Sequence, residues 1–117
     1  SMISLRANSP IYTGHVVSLC LTTPERVELT DWNNYQSIAA VVGFATNDGL
    51  EGDSIVIQTD GIIENSSWTL TYNKPAYAFA SGIITQDIPP KNALRVGIAI
   101  ASTKLLIRIS EFIMVEP

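Results

Sequence analysis

The chain is poor in the side chains that chemistry and solvation usually need: one histidine, one cysteine, and 7 basic and 11 acidic residues in 117. With His15 and Cys20 alone of their kinds, a zinc centre or a catalytic triad would need unusual ligands. Cys20 cannot close an internal disulfide, and its setting in Val16-Val17-Ser18-Leu19-Cys20-Leu21 predicts a small buried hydrophobe. No G-x-S-x-G, P-loop, H-E-x-x-H or C-x-x-C motif occurs. The basic residues, at 6, 26, 74, 91, 95, 104 and 108, form no run, so no nucleic-acid partner is expected. No apolar stretch reaches the roughly 18 residues of a membrane span, so no membrane insertion is expected, and no signal peptide is visible. Ser1-Met2 reads as an expression scar. Residues 1–117 are therefore expected to form a single domain, the C-terminal fragment of a longer chain.

What the chain has in quantity is β-branched: 15 Ile, 10 Thr and 8 Val. These side chains suit a pleated, half-buried surface and lose rotamer freedom in a helix. An all-β fold follows, a β-sandwich or, as the alternative, a small β-barrel. Ile11–Leu21 reads as the first long strand, after an N-terminal lead containing Pro10. Thr23-Pro24-Glu25 interrupts it, because proline cannot donate to a ladder. Arg26–Leu29 is a short strand, and Asp31–Tyr35 a turn or a single helical turn with Asp31 as N-cap. Ser37–Thr46 reads as a buried strand and Ser54–Thr59 as its successor across the turn Asn47-Asp48-Gly49. Trp68–Tyr72 alternates with period two. Ala76–Ala80, Ile83–Thr85, Leu94–Ala101 and Leu105–Ile109 complete the strands, with Ser37–Thr46 and Leu94–Ala101 expected at the centres of their sheets.

There is an internal echo. Val41-Val42-Gly43-Phe44-Ala45 matches Arg95-Val96-Gly97-Ile98-Ala99, and Ile55-Val56-Ile57 with Gly61-Ile62-Ile63 matches Leu105-Leu106-Ile107 with Glu111-Phe112-Ile113. A four-residue deletion in the second turn aligns both parts. A duplicated hairpin, one per sheet, explains this, and so does chance similarity between β segments.

The candidate chemistry is thin. The acidic loop Asn47–Asp53 lacks the spacing of a calcium loop and reads as a solvated hairpin tip. Eleven acidic residues always allow some pair at glycosidase separation, so no hydrolase is indicated. No catalytic residue, metal or cofactor is expected. Asn65-Ser66-Ser67 matches a glycosylation sequon without a secretory context. Trp32, Tyr35, Trp68 and Tyr72, near turns or on alternating strands, are the candidate ligand-binding residues, since aromatic faces near loops give large contact area at low entropy cost. The competing expectation is that most aromatics serve core or inter-subunit packing.

From Ser54 onward the order of features resembles a C-terminal module of tailed-phage virion proteins of tail-fibre, head-fibre or decoration type. The features are Ile55-Val56-Ile57 to Gly61, Trp68-Thr69-Leu70, Ala76-Tyr77-Ala78, Ser81-Gly82-Ile83-Ile84-Thr85-Gln86, Pro89-Pro90, Arg95–Ser102 and Lys104–Ile109. The likeness covers roughly the last 60 residues and leaves the first 36 unmatched. It implies a non-enzymatic virion domain, foremost the host-receptor-binding tip of a trimeric tail fibre. Its partner would be a bacterial surface glycan or protein, or another virion protein. A capsid decoration or head-fibre protein, and a cellular carbohydrate-binding or adhesion module, are the alternatives.

A homo-oligomer is expected independently. Hydrophobic residues make up 46% of the chain and charged ones 15%, with a mean hydropathy of +0.23. A small domain usually carries about 25% charged residues. Ile38-Ala39-Ala40-Val41-Val42 and Gly97-Ile98-Ala99-Ile100-Ala101 look apolar on both faces, where a lone sandwich should show one polar face. The trimer number comes from the fibre resemblance alone.

Overall fold

The computed structural model describes residues 1–111. It is nearly all β, with 42% strand and 7% helix. The strands are β1 (Met2–Ala7), β2 (Val16–Leu19), β3 (Arg26–Leu29), β4 (Val41–Ala45), β5 (Ser54–Gln58), β6 (Gly61–Glu64), β7 (Pro75–Ala78), β8 (Ile84–Thr85), β9 (Arg95–Ala101) and β10 (Lys104–Ile107). One short helix, α1 (Tyr35–Ala39), precedes β4. Strands β1-β3-β2-β4-β5 close into a barrel, and β6-β10-β9-β7-β8 form a second sheet. The barrel alternative therefore holds for the first half, and the second half is a sheet packed on it rather than one leaf of a plain sandwich. As expected, β9 lies at the centre of its sheet.

Several segment expectations need correction. The N-terminal lead contains a full strand: β1 pairs with β5 from Met2↔Gln58 to Arg6↔Ser54 and closes the barrel through a parallel contact with β3 at Arg6↔Arg26 and Ala7↔Val27. Ile11–Leu21 is not one strand, because Gly14 at φ +84 turns the chain and leaves only Val16–Leu19 in the ladder. Ser37–Thr46 splits, its start coiling into α1. Asn34, not Asp31, is the N-cap, its side chain accepting from the Gln36 amide at 2.9 Å. A buried hydroxyl network pins this helix: Ser18 Oγ lies 2.7 Å from Thr30 Oγ1 and donates to the Ser37 carbonyl at 2.8 Å, while the Asp31 amide donates to Ser37 Oγ at 2.9 Å. Trp68–Tyr72 joins no strand and follows the second sheet by single bonds, such as the Leu70 amide to the Ser102 carbonyl at 2.8 Å. Cys20 is half-buried, not buried; it lies just past the end of β2, with its thiol 3.6 Å from Thr22 Oγ1.

The two halves follow one plan. Read from β1, the barrel runs β1-β5-β4-β2-β3, and the sheet runs β6-β10-β9-β7-β8, each neighbouring pair antiparallel. The irregularities recur too. Against β2 the register slips so that Val42 has no partner, and against β7 it slips so that Val96 has none. The next residue is glycine both times. A Cβ on Gly43 would stand 2.2 Å from the Gln58 carbonyl oxygen, and one on Gly97 2.5 Å from that of Leu106. Each glycine lets its hairpin partner's backbone come close beside a bulge. Ile98 follows Phe44 by 54 positions and Leu106 follows Gln58 by 48, so the second hairpin is shorter by six residues, not four. Gly61–Glu64 opens the second half as the counterpart of β1. The proposed match to Phe112-Ile113 lies outside the described residues.

The repeat explains the core. Ala7, Ile11, Val17, Val27, Ala45, Ile55 and Ile57 fill the barrel. A second cluster joins the inner face of the sheet (Ile63, Ala76, Val96, Leu105) to the outer face of the barrel (Val16, Phe44) and to Ile38 of α1. The two apolar faces of β4 are thus used within one chain, one lining the barrel and the other meeting the sheet. That removes Ile38–Val42 as a reason for self-association and leaves Gly97–Ala101.

Candidate functional site

The aromatic candidates do not converge on one site. Trp32 is half-buried and stacks on Phe79 with ring centroids 4.9 Å apart; Trp68 meets Phe44 edge-on at 6.2 Å. Both tryptophans pack against the core between barrel and sheet. Tyr35 is exposed on α1, and Tyr72 is 72% exposed in the turn before β7. His15 lies between the halves, its Nδ1 3.0 Å from the Ser81 carbonyl oxygen.

A groove forms instead where two distant segments meet. Ile11 and Gly49 make an isolated bridge, each amide donating to the other's carbonyl at 2.9 and 3.1 Å. Ile11 is buried in the barrel core, which fixes the segment and turns the next residue, Tyr12, outward at 51% exposure. The acidic loop is held just as firmly. The Asp53 amide donates to the Leu50 carbonyl at 2.9 Å, the Leu50 amide to Asp53 Oδ2 at 2.8 Å, and the Val56 amide to Asn47 Oδ1 at 2.8 Å. Pro10, Tyr12, Asp48, Leu50 and Asp53 line a groove of about 480 Å³. That volume lies within the range of small-ligand sites, roughly 300–1,000 Å³. The expected solvated tip holds, with Asp48, Leu50, Glu51 and Asp53 exposed, and its hydrogen bonds order it as one wall of the groove.

The charge in this groove is anchored. Asp48 Oδ1 accepts from the Thr13 amide at 2.7 Å and from its hydroxyl at 2.9 Å. Those two bonds, the amide first, hold the Asp48 carboxyl below its ordinary value of 3.8. Among the described residues, Oδ2 of Asp48 and Oδ1 of Asp53 make no hydrogen bond, and neither carboxylate has an ion-pair partner. Two oriented acceptors beside an exposed tyrosine ring suit a ligand with several hydroxyl or amino donors. Among the described residues no three His, Cys, Asp or Glu side chains are grouped to hold a metal.

Because the folded-state value of Asp48 is depressed, the unfolded chain binds its proton first. The stabilisation is present at neutral pH and is lost as pH falls below 3.8 through the lowered value. The difference in melting temperature between the parent and Asp48→Asn is expected to stay constant from pH 7 to 5 and shrink below pH ~3.8. A difference that grows on acidification would show that the Thr13 bonds do not favour the carboxylate.

The sequence alone did not find Tyr12 and Leu50. They stand 38 positions apart, and their segments are joined by the Ile11–Gly49 bridge and the Thr13–Asp48 hydrogen bonds. The chain matches no protein-family model and no curated protein.

Proposed function

We propose that the chain is a non-enzymatic virion domain, the host-receptor-binding tip of a trimeric tail fibre, and that it holds a bacterial surface glycan in the groove between Tyr12 and Leu50. The observation that carries the ligand class is the pair of anchored carboxylates, each with one uncommitted oxygen, beside an exposed aromatic ring. Sugars offer hydroxyl donors to such oxygens and C–H faces to such rings. The virion setting is supported by the order of strands, glycines and prolines from Ser54 onward, and the oligomer by the shortage of charge.

The test is adsorption of fluorescently labelled domain to a panel of bacterial cells, with single substitutions. Hydrogen bonds to charged groups contribute about 1.5–3 kcal/mol, roughly ten- to a hundredfold in affinity. Asp48→Asn and Tyr12→Ala are each expected to cut adsorption at least about tenfold, with Tyr72→Ala near the parent. Loss on Tyr72→Ala but not Tyr12→Ala would move the site to the turn before β7. If the domain decorates no cell and blocks no infection, the receptor-binding reading fails and capsid decoration gains.

A further inference from the structure

A second cleft, of about 270 Å³, opens on the seam between barrel and sheet. Thr13, Gly14 and His15, which lead into β2, form one wall; Asn65 and Trp68, which follow β6, and Ile83, which precedes β8, form the other. Both walls are pinned. The Gly14 amide donates to the Ala45 carbonyl at 2.8 Å and the Asn65 amide to the Thr103 carbonyl at 2.9 Å. Across the seam, His15 Nδ1 donates to the Ser81 carbonyl at 3.0 Å and the Gly82 amide to the Thr30 carbonyl at 2.9 Å. Gly14, at φ +84, lets the two walls close on each other: a Cβ there would stand 2.2 Å from Asn65 Nδ2.

The free polar groups of this cleft have fixed roles. A carbonyl only accepts, so His15 Nδ1 carries the hydrogen and Nε2 of the neutral ring keeps a lone pair. Asn65-Ser66-Ser67, a glycosylation sequon by sequence, folds as a turn in which Asn65 Oδ1 accepts from the Ser67 amide at 3.0 Å and from its hydroxyl at 2.7 Å. Those bonds assign the oxygen, so Asn65 Nδ2 is the free end, with hydrogens to give. Among the described residues neither His15 Nε2 nor Asn65 Nδ2 makes a hydrogen bond, and the buried side-chain polar atom without a partner is Arg95 Nε, so both nitrogens are open to solvent. Among the described residues no Asp, Glu, Lys or Arg lines the cleft, whereas two carboxylates line the groove.

We propose that this cleft is a second binding site, and that it takes the acetamido group of an N-acetylated amino sugar. The inference rests on the glycan reading of the proposed function and names the sugar class. An acetamido group is uncharged and presents one N–H donor, one carbonyl acceptor and a methyl group. The N–H donates to His15 Nε2, the carbonyl accepts from Asn65 Nδ2, and the methyl lies against Trp68 and Ile83. A plain hydroxyl in its place has no apolar end, and an ammonium or carboxylate would leave water for a cleft without counter-charge. The volume is just below the roughly 300–1,000 Å³ of small-ligand sites, which is room for one sugar residue rather than a chain. The rings of His15 in the cleft and Tyr12 in the groove have centroids 5.5 Å apart, so neighbouring residues of one glycan can fill both.

Titration of the ¹⁵N-labelled domain with N-acetylglucosamine, and with glucose as the sugar that lacks the acetamido group, tests this. Up to ~20 mM, N-acetylglucosamine is expected to give saturable shifts of the Gly14 and His15 amides, the Asn65 side-chain amide and the Trp68 indole, with a Kd on the order of 1 mM, and glucose to bind at least about tenfold more weakly. Asn65→Asp keeps an oxygen for the Ser67 bonds and loses the donor; His15→Asn keeps a donor for the Ser81 carbonyl and loses the acceptor. Each should weaken N-acetylglucosamine about tenfold with an unchanged circular-dichroism spectrum, and the comparison of sugars decides the matter if neither variant folds. No shift at these groups, or an equal response to glucose, would overturn the cleft; the glycan reading would still stand if the domain adsorbs to cells and loses adsorption on Tyr12→Ala. An acetylated dipeptide amide that moves the cleft groups where N-acetylglucosamine does not would overturn the sugar class. Cleft shifts that are lost on Asn65→Asp, in a domain that decorates no cell, would support the cleft while the receptor reading fails.

Discussion

Phe44→Ala is expected to destabilise the fold by about 3–5 kcal/mol, the range for removing a buried phenylalanine. The ring is fully buried, and it is buried by the other half of the molecule. It projects from the outer face of β4 into the cluster formed by Ala76, Val96 and Leu105 of the second sheet, with the Trp68 ring edge-on at 6.2 Å. Truncation opens a cavity where the halves join and removes the knob on which the open sheet is seated. Total stabilities are only about 5–15 kcal/mol, so the loss is a large share. The melting temperature should fall by roughly 10–20 °C. Ile3→Ala removes a partly exposed side chain on β1 and should cost far less, about 1 kcal/mol or below. A Phe44→Ala variant that melts within a few degrees of the parent would show that the sheet does not depend on the outer face of the barrel.

The second large effect is expected at the paired glycines. Glycine to alanine normally stabilises slightly, by about 0.4–1 kcal/mol, through the unfolded chain. At Gly43 and Gly97 the sign should reverse. The new Cβ would meet the Gln58 carbonyl oxygen at 2.2 Å and the Leu106 carbonyl oxygen at 2.5 Å. Those obstacles are backbone atoms held in ladders, so the strands must separate. A loss of roughly 3 kcal/mol for each substitution is the expected result, read from urea denaturation. If both variants are as stable as the parent, the close approach beside the two bulges is not a constraint on the fold.

The legible parts of this fold were those with local signals. Arg95–Ala101 places Val96, Ile98 and Ile100 at alternate positions, is bounded by Pro89-Pro90 and by Ser102-Thr103, and is the central strand of its sheet. Val41–Ala45 and its glycine match Arg95–Ala99 in sequence alone, because Gly beside a bulge is a local requirement. What stayed hidden depends on partners far away in the chain. Met2–Ala7 is a strand because it pairs with β5, about fifty positions on, and with β3 where the barrel closes, and its own composition is ordinary. Ser37-Ile38-Ala39 could be either strand or helix by periodicity over so few residues; the Asn34 cap and the Ser18–Ser37 bond decide it. The apolar double face of Val41–Val42 suggested an oligomer until the second sheet proved to cover it.

The candidate site shows the same division. The acidic loop was visible as a turn rich in Asn, Asp and Gly, and its bonds from Asn47 and Asp53 are of the local kind such residues make. Its place as one wall of a groove was not visible, since the opposite wall is Pro10–Tyr12 and the links are the Ile11–Gly49 bridge and the Thr13–Asp48 bonds, all between residues distant in sequence. The tryptophans were legible as aromatic and near turns, but turn position does not distinguish a rim from a core, and both pack inward.

Nuclear magnetic resonance of ¹⁵N-labelled domain, titrated with glycan fragments released from cells that it adsorbs to, tests the recognition claim most directly. The expected result is a set of saturable amide shifts at Tyr12 and Thr13 and at Asp48–Asp53, absent in Tyr12→Ala. Shifts centred on Tyr35 or Tyr72, with the groove amides unmoved, would contradict it.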